Sequence, residues 1–306
     1  SSWGRANLHP GDEVLVSGME HHSNIVPWQM ISAERGATVR HIPILDNGEL
    51  DLDAYHQLLG PKVRLVSVVH TSNSLGTVNP VKTMIDAAHA KNIPVLVDGA
   101  QALAHGTVDV SELDCDFLVF SGHKMLGPTG IGVLYGKEAL LEAMPPYQGG
   151  GEMIHSVSFG GTTYNELPYK FEAGTPNIAD VIALGAALDY WASLDRTAVA
   201  EWEEQLLAYA TATIVTIPGV RIIGTAKRKS GVLSFIVEGL NALDIGMFLD
   251  TQGIAVRTGH HCTEPVMDRF GIPGTVRASF MFYNTAEEVD RFVEALRKAI
   301  HLLRKG

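Results

Sequence analysis

Ile93-Pro94-Val95-Leu96-Val97-Asp98-Gly99-Ala100-Gln101 is the stretch whose reading decides the fold. It is a short run, apolar on consecutive rather than alternate positions, and it ends in an acid followed by glycine. Such a run is buried on both faces, which is the mark of a strand inside a largely parallel sheet. Working outward, similar runs recur at Val14 to Val16, Thr38 to Ile42, Arg64 to Val69, Phe117 to Phe120 and Ile131 to Tyr135, with helical stretches between them. One such helix is expected over Val81 to Lys91, opened by Asn79 as cap and Pro80 at the first helical position. The first part of the chain therefore reads as a wound α/β domain.

After Ala179 the pattern changes. Helices are expected over Val181 to Leu194, over Ala198 to Val215 and near Asp244 to Asp250. Strands are expected over Val232 to Val237, Ile254 to Arg257 and Val276 to Phe280. Thr285 and Glu288 have capping-box spacing at the start of an amphipathic helix that runs to Leu303. The division that follows is a large α/β domain over residues 1–188 and a smaller C-terminal α+β domain over 189–306. No internal repeat or flexible linker interrupts it.

Composition narrows the function. Of the 306 residues, 46% are hydrophobic and 19% charged, as in an ordinary globular enzyme. The formal net charge of −11 repels nucleic-acid phosphates and anionic lipid, so neither is an expected partner. The most apolar stretch, Val181 to Leu194, is broken by Asp189 and is too short to span a bilayer. Two widely separated cysteines, Cys115 and Cys262, fit a reducing compartment, and a cytoplasmic location is the expectation. The opening residues have no start Met and no leader pattern, as if the chain began in the middle of something.

Two strand ends can carry chemistry. Asp98 closes a buried strand, where a carboxylate must meet a cation, cap a helix or ligate a metal. Lys124, in Ser121-Gly122-His123-Lys124, follows a later strand, and the carboxyl ends of strands in an open α/β sheet are where ligands bind. Taken alone it could be a surface lysine in a turn. An acid and a lysine placed in this way suit pyridoxal phosphate, the lysine holding the aldehyde and the acid keeping the ring nitrogen charged.

Five motifs, in order, carry a resemblance over essentially the whole chain: Met19 to Trp28 with Glu20-His21-His22, Val97 to Gln101, Ser121 to Lys124, Phe171 to Asn177, and Arg257-Thr258-Gly259-His260-His261-Cys262. Together they resemble the cysteine desulfurases of the SufS and CsdA group, class V aminotransferase-like enzymes of the fold-type I pyridoxal-phosphate class. The resemblance implies that Lys124 carries pyridoxal 5'-phosphate covalently and shuttles protons. Asp98 would pair with the pyridine nitrogen, Gln101 would bond the ring oxygen and His21 would stack on the ring. Ser121 and His123 would hold the phosphate, and Thr175 would reach the phosphate of the neighbouring subunit in a homodimer. Asn73 and Arg277 would orient the substrate. Cys262 would take sulfur from L-cysteine as a persulfide, leaving L-alanine, and pass it to an acceptor of the SufE type for iron–sulfur cluster assembly. Cys115 is expected to be an inert buried thiol.

The resemblance has alternatives. L-Selenocysteine is a close variant of the substrate, so a selenocysteine lyase is one, and another class V activity that needs no cysteine is a second. The family's Gly-Thr-Thr-Glu turn, which binds the cofactor phosphate, has no counterpart here, because Gly161-Thr162-Thr163 lies in a later loop. Its absence implies weaker cofactor binding, and a catalytically silent fragment is the third alternative. The histidine pairs at 21–22 and 260–261 lack the spacing of a metal site, and no metal is expected. Gly149-Gly150-Gly151 lacks the phosphate-loop pattern and reads as a mobile loop near the active site.

Overall fold

The computed structural model describes residues 1–305. In chain order the elements of the first part are α1 (Ser2–Asn7), β1 (Glu13–Ser17), α2 (Val26–Arg35), β2 (Thr38–Ile42), α3 (Leu52–Leu58), β3 (Val63–Val69), α4 (Val81–His89) and β4 (Val95–Asp98). They continue with α5 (Ala102–His105), α6 (Val110–Leu113), β5 (Phe117–Ser121), β6 (Gly132–Gly136), α7 (Glu138–Ala143) and the hairpin β7 (Ile154–Ser158) and β8 (Gly161–Tyr164). Two long helices follow, α8 (Ile178–Ser193) and α9 (Arg196–Ile214). The rest is β9 (Val220–Ile223), β10 (Val232–Val237), α10 (Ala242–Thr251), β11 (Arg257–Gly259), α11 (Glu264–Phe270), β12 (Thr275–Ser279) and α12 (Ala286–Leu303).

The first sheet has the order β2-β1-β3-β4-β5-β6. Its first five strands are parallel, and β6 pairs antiparallel to β5. The central strands are buried on both faces, as their continuous apolar runs require: Leu65, Val66, Val68, Val95 and Val97 have no accessible surface. Strand order reverses at β1, so the chain leaves β1 and β3 in opposite directions along the sheet and opens a crevice at their carboxyl ends. That edge of the sheet carries the segments after β1, β3, β4 and β5.

The second sheet is antiparallel, with order β11-β12-β10-β9. Its core of Leu233, Phe235, Val276, Leu296 and Ile300 is packed by α9, α10 and α12. α12 begins in the expected capping box, Thr285 accepting the Glu288 N–H and Glu288 accepting the Thr285 N–H.

The structure corrects two local expectations. Helix α4 starts at Val81 as expected but ends at His89, with Pro80 and not Asn79 at its cap, and the Asn79 amide instead donates to the Val69 carbonyl at 2.8 Å. The strand expected over Ile254 to Arg257 forms at Arg257–Gly259. The division after residue 188 falls inside α8.

Candidate functional site

Each candidate in the first sheet stands just past the carboxyl end of a strand. His21 follows β1, Asn73 follows β3, Asp98 is the last residue of β4, and Ser121 ends β5, leading into a 3-10 turn that holds His123 and Lys124. Gln101 lies at the start of α5. Parallel pairing places all of these at one edge.

His21 is fixed by its neighbour: its Nδ1 accepts the Ser23 N–H at 3.2 Å and bonds the Ser23 hydroxyl at 2.7 Å. Its pKa lies below the ordinary histidine value, first because the ring is desolvated and then because Lys124 is positively charged nearby, with Asp98 opposing. The lowered pKa favours the neutral ring, which lies within electrostatic reach of both the lysine and the acid.

Asp98 is buried, and Oδ1 accepts only the Ala100 N–H, at 2.8 Å. It has no ion-pair partner among the described residues. A buried carboxylate without a cation is costly, and a protonated ring nitrogen is the partner that it lacks. The residues present therefore fit pyridoxal phosphate.

Behind this edge lies a carboxyl that the sequence did not single out. Glu20 is fully buried; Oε1 accepts the Val69 N–H at 2.8 Å and bonds the Ser17 hydroxyl, and Oε2 accepts the Asn24 amide at 2.7 Å. Burial pushes its pKa up to about 8, with a further push from Asp98. Asn24 cannot turn round, because its Oδ1 accepts from both Ser67 and Trp28.

The second sheet supplies the other half. Arg277, on β12, donates from Nη1 to the Asn73 carbonyl at 2.8 Å, and the Asn73 side-chain amide donates to the His261 carbonyl at 2.7 Å. Asn73 Oδ1 and Arg277 Nε are buried without a partner, an acceptor and a donor left for a ligand. Cys262 is exposed on the turn after β11. His261 and Cys262 are both left-handed, with φ of 55° and 56°.

The remaining candidates lie further out. His123 and Thr175 are exposed, and Ser121 and Gln101 are half-buried. Gly149 to Gly151 lie against the Thr175 segment, where the Gly174 N–H donates to the Gly151 carbonyl at 3.0 Å. Cys115 is buried, and burial pushes its thiol up to about 11. An apolar cavity of about 480 Å³, lined by Trp28, Leu65, Leu96, Phe117 and Leu134, contains none of the candidate residues.

Known proteins resemble this chain over nearly its whole length. Residues 1–292 match the aminotransferase class-V family. A probable cysteine desulfurase of Vibrio cholerae is 53% identical over 302 residues, covering 99% of this chain and 74% of that protein. The cysteine desulfurase CsdA of Escherichia coli superposes with a TM-score of 0.96 at 42% identity, over 99% of this chain and 75% of that one. A variant of the C-DES enzyme with glycine covalently linked to its PLP cofactor superposes with a TM-score of 0.83 at 28% identity, over 95% of this chain and 76% of that one. The chain spans 47% of the length of one cysteine desulfurase that it matches and about three quarters of others. The chain belongs to the class-V aminotransferase family, among its cysteine desulfurases.

Proposed function

We propose that this chain is a pyridoxal-phosphate-dependent cysteine desulfurase, which converts L-cysteine to L-alanine and carries the sulfur as a persulfide on Cys262. The observation that carries this reading is the joining of the two halves: the only exposed cysteine lies on a turn whose His261 carbonyl is bonded by Asn73 of the first sheet, and Arg277 of the second sheet bonds Asn73 in turn. In balance, the substrate Cβ–S bond breaks, its sulfur bonds to Cys262 Sγ, and the alanine carbon gains a proton.

The cofactor, when bound, supplies an electron sink for the pair released at the substrate α carbon. Lys124 Nζ would hold it and move the proton at that carbon. Asp98 would keep its ring nitrogen charged, Gln101 would bond its ring oxygen and His21 would cover its ring. Ser121 and His123 would bind its phosphate, and Thr175, exposed on its segment, would serve the neighbouring subunit of a homodimer. Arg277 would grip the substrate carboxylate from a two-pronged guanidinium, with Asn73 beside it. In this reading residues 1–188 form the cofactor-binding unit and 189–306 carry the cysteine turn. The sulfur passes to an acceptor of the SufE type for iron–sulfur cluster assembly, in the cytoplasm. Among the described residues no helix is long and apolar enough to cross a membrane.

The test is peptide-mapping mass spectrometry of the chain incubated with pyridoxal phosphate and reduced with borohydride. A reduced adduct on Lys124, then one added sulfur on Cys262 after exposure to L-cysteine, is the expected result. A folded protein without the adduct would be the catalytically silent fragment. Turnover of L-selenocysteine but not L-cysteine by Cys262→Ala would show both substrates using one site.

A further inference from the structure

Adjacent histidines usually point apart, and here the divergence has a use. His21 turns to the edge where the cofactor residues gather. His22 turns to the cysteine turn of the other sheet: its backbone N–H donates to the Cys262 carbonyl at 2.8 Å, and its Nε2 accepts the Glu264 N–H at 3.1 Å. These two bonds hold the chain on the C-terminal side of Cys262, from its own carbonyl to the Glu264 N–H, while Asn73 holds the His261 carbonyl on its other side.

The local sequence explains why an outside residue is needed. Thr263 stands at the cap of α11 and would ordinarily accept a first-turn N–H, but its hydroxyl donates to the His260 carbonyl at 2.8 Å and caps nothing. The Glu264 N–H, at the first helical position, lies outside what a cap side chain accepts in any case, and it is His22 that takes it. The turn also holds two successive non-glycine residues in the left-handed region, which L side chains adopt only under restraint. Restraint comes from His22 at Cys262 and Glu264, and from Asn73 at the His261 carbonyl.

We infer that His22 is a positioning residue for the sulfur-accepting thiol, a neutral imidazole that locks the Cys262 turn to the segment carrying the ring-covering His21. The inference rests on the reading of Cys262 as sulfur acceptor. An Nε2 that accepts requires the proton on Nδ1, so only the neutral ring fits.

The test compares His22→Ala with His22→Gln, whose amide oxygen reaches about as far as Nε2. In cofactor-free protein, backbone hydrogen exchange over residues 260–265 is expected to speed by about tenfold in His22→Ala and to return towards wild type in His22→Gln. In cofactor-loaded protein, His22→Ala is expected to lower kcat for L-cysteine by roughly 10- to 100-fold with KM changed by less than about twofold, and His22→Gln to recover most of the loss. His22→Ala keeps the backbone bond to the Cys262 carbonyl and removes only the imidazole bond to Glu264, so unchanged exchange overturns the imidazole's hold on the turn and unchanged kcat overturns its role in catalysis. Wild-type protein that forms no persulfide, with exchange still dependent on His22, would instead refute the reading of Cys262 and with it the role assigned to His22.

Discussion

Arg277 and Asn73 are 204 positions apart in sequence, and the guanidinium of one donates to the backbone carbonyl of the other at 2.8 Å. One prong of the arginine is thereby spent on alignment, and its buried Nε remains free to meet a ligand. Burial lowers its pKa first and the Arg257 charge lowers it further, but a guanidinium stays charged at any working pH.

Arg277→Lys replaces a fixed fork with a point charge, which cannot bond Asn73 and a carboxylate in the same geometry. A charge-assisted bond contributes about 1.5–3 kcal/mol, so KM for L-cysteine is expected to rise roughly 10- to 100-fold, with kcat less affected. Steady-state kinetics check this; an unchanged KM would remove Arg277 from substrate binding.

Glu20 makes stability depend on pH in a particular direction. Its folded pKa of about 8 lies above the ordinary 4.5, so between those values the folded chain keeps a proton that the unfolded chain has lost. This contribution is therefore present at low pH, lost as pH rises through the window, and level above it. Ser17 is the one partner able to reverse, receiving the proton when Glu20 is neutral. In Glu20→Gln an NH₂ group must face either the Val69 N–H or the Asn24 amide, and neither can turn round. Urea unfolding at several pH values should show about 1–3 kcal/mol lost and the slope between pH 4.5 and 8 flattened. A variant with the wild-type slope would show that Glu20 does not cause it.

His70 and His261 act on the acid side. Both are pushed down to about 4, His70 by burial and then by Arg228, His261 by burial and then by Arg277. The unfolded chain takes up these protons first, so stability is full above the ordinary value of 6.5 and is lost as pH falls towards 4. Their slope opposes that of Glu20, and a stability maximum between the two is expected. His261→Gln should lessen the acid lability in the same unfolding series; unaltered lability would place its origin elsewhere.

Lys170 is buried, and its ammonium donates to the carbonyls of Leu141 at 3.1 Å and Glu142 at 2.8 Å, near the end of α7. Lys170→Met keeps the length and removes both bonds. A loss of about 1–3 kcal/mol in chemical denaturation is expected, and no loss would mean that water replaces the ammonium without cost.

Much of the first sheet could be read from the chain because strands buried on both faces leave unbroken apolar runs, as at Val95 to Val97. The antiparallel β6 could not be told from its neighbours, since direction leaves no mark on such a run. Asn79 looked like a cap because its local signal is that of a cap, and a carbonyl on β3 claimed the amide instead. Lys124 and Asp98 were visible as odd residues at strand ends. Glu20 and His22 were not: their run carried the resemblance and was weighed for metal, but the bonds that place each side chain reach Val69 and Glu264, 49 and 242 positions away.

Cys115 and Cys262 differ in more than exposure. With the first thiol inaccessible and pushed up to about 11, a maleimide dye at neutral pH is confined to the second. The native chain is thus a single-site labelling reagent as it stands: dye per chain counts accessible Cys262 thiols directly, without any cysteine having to be engineered away.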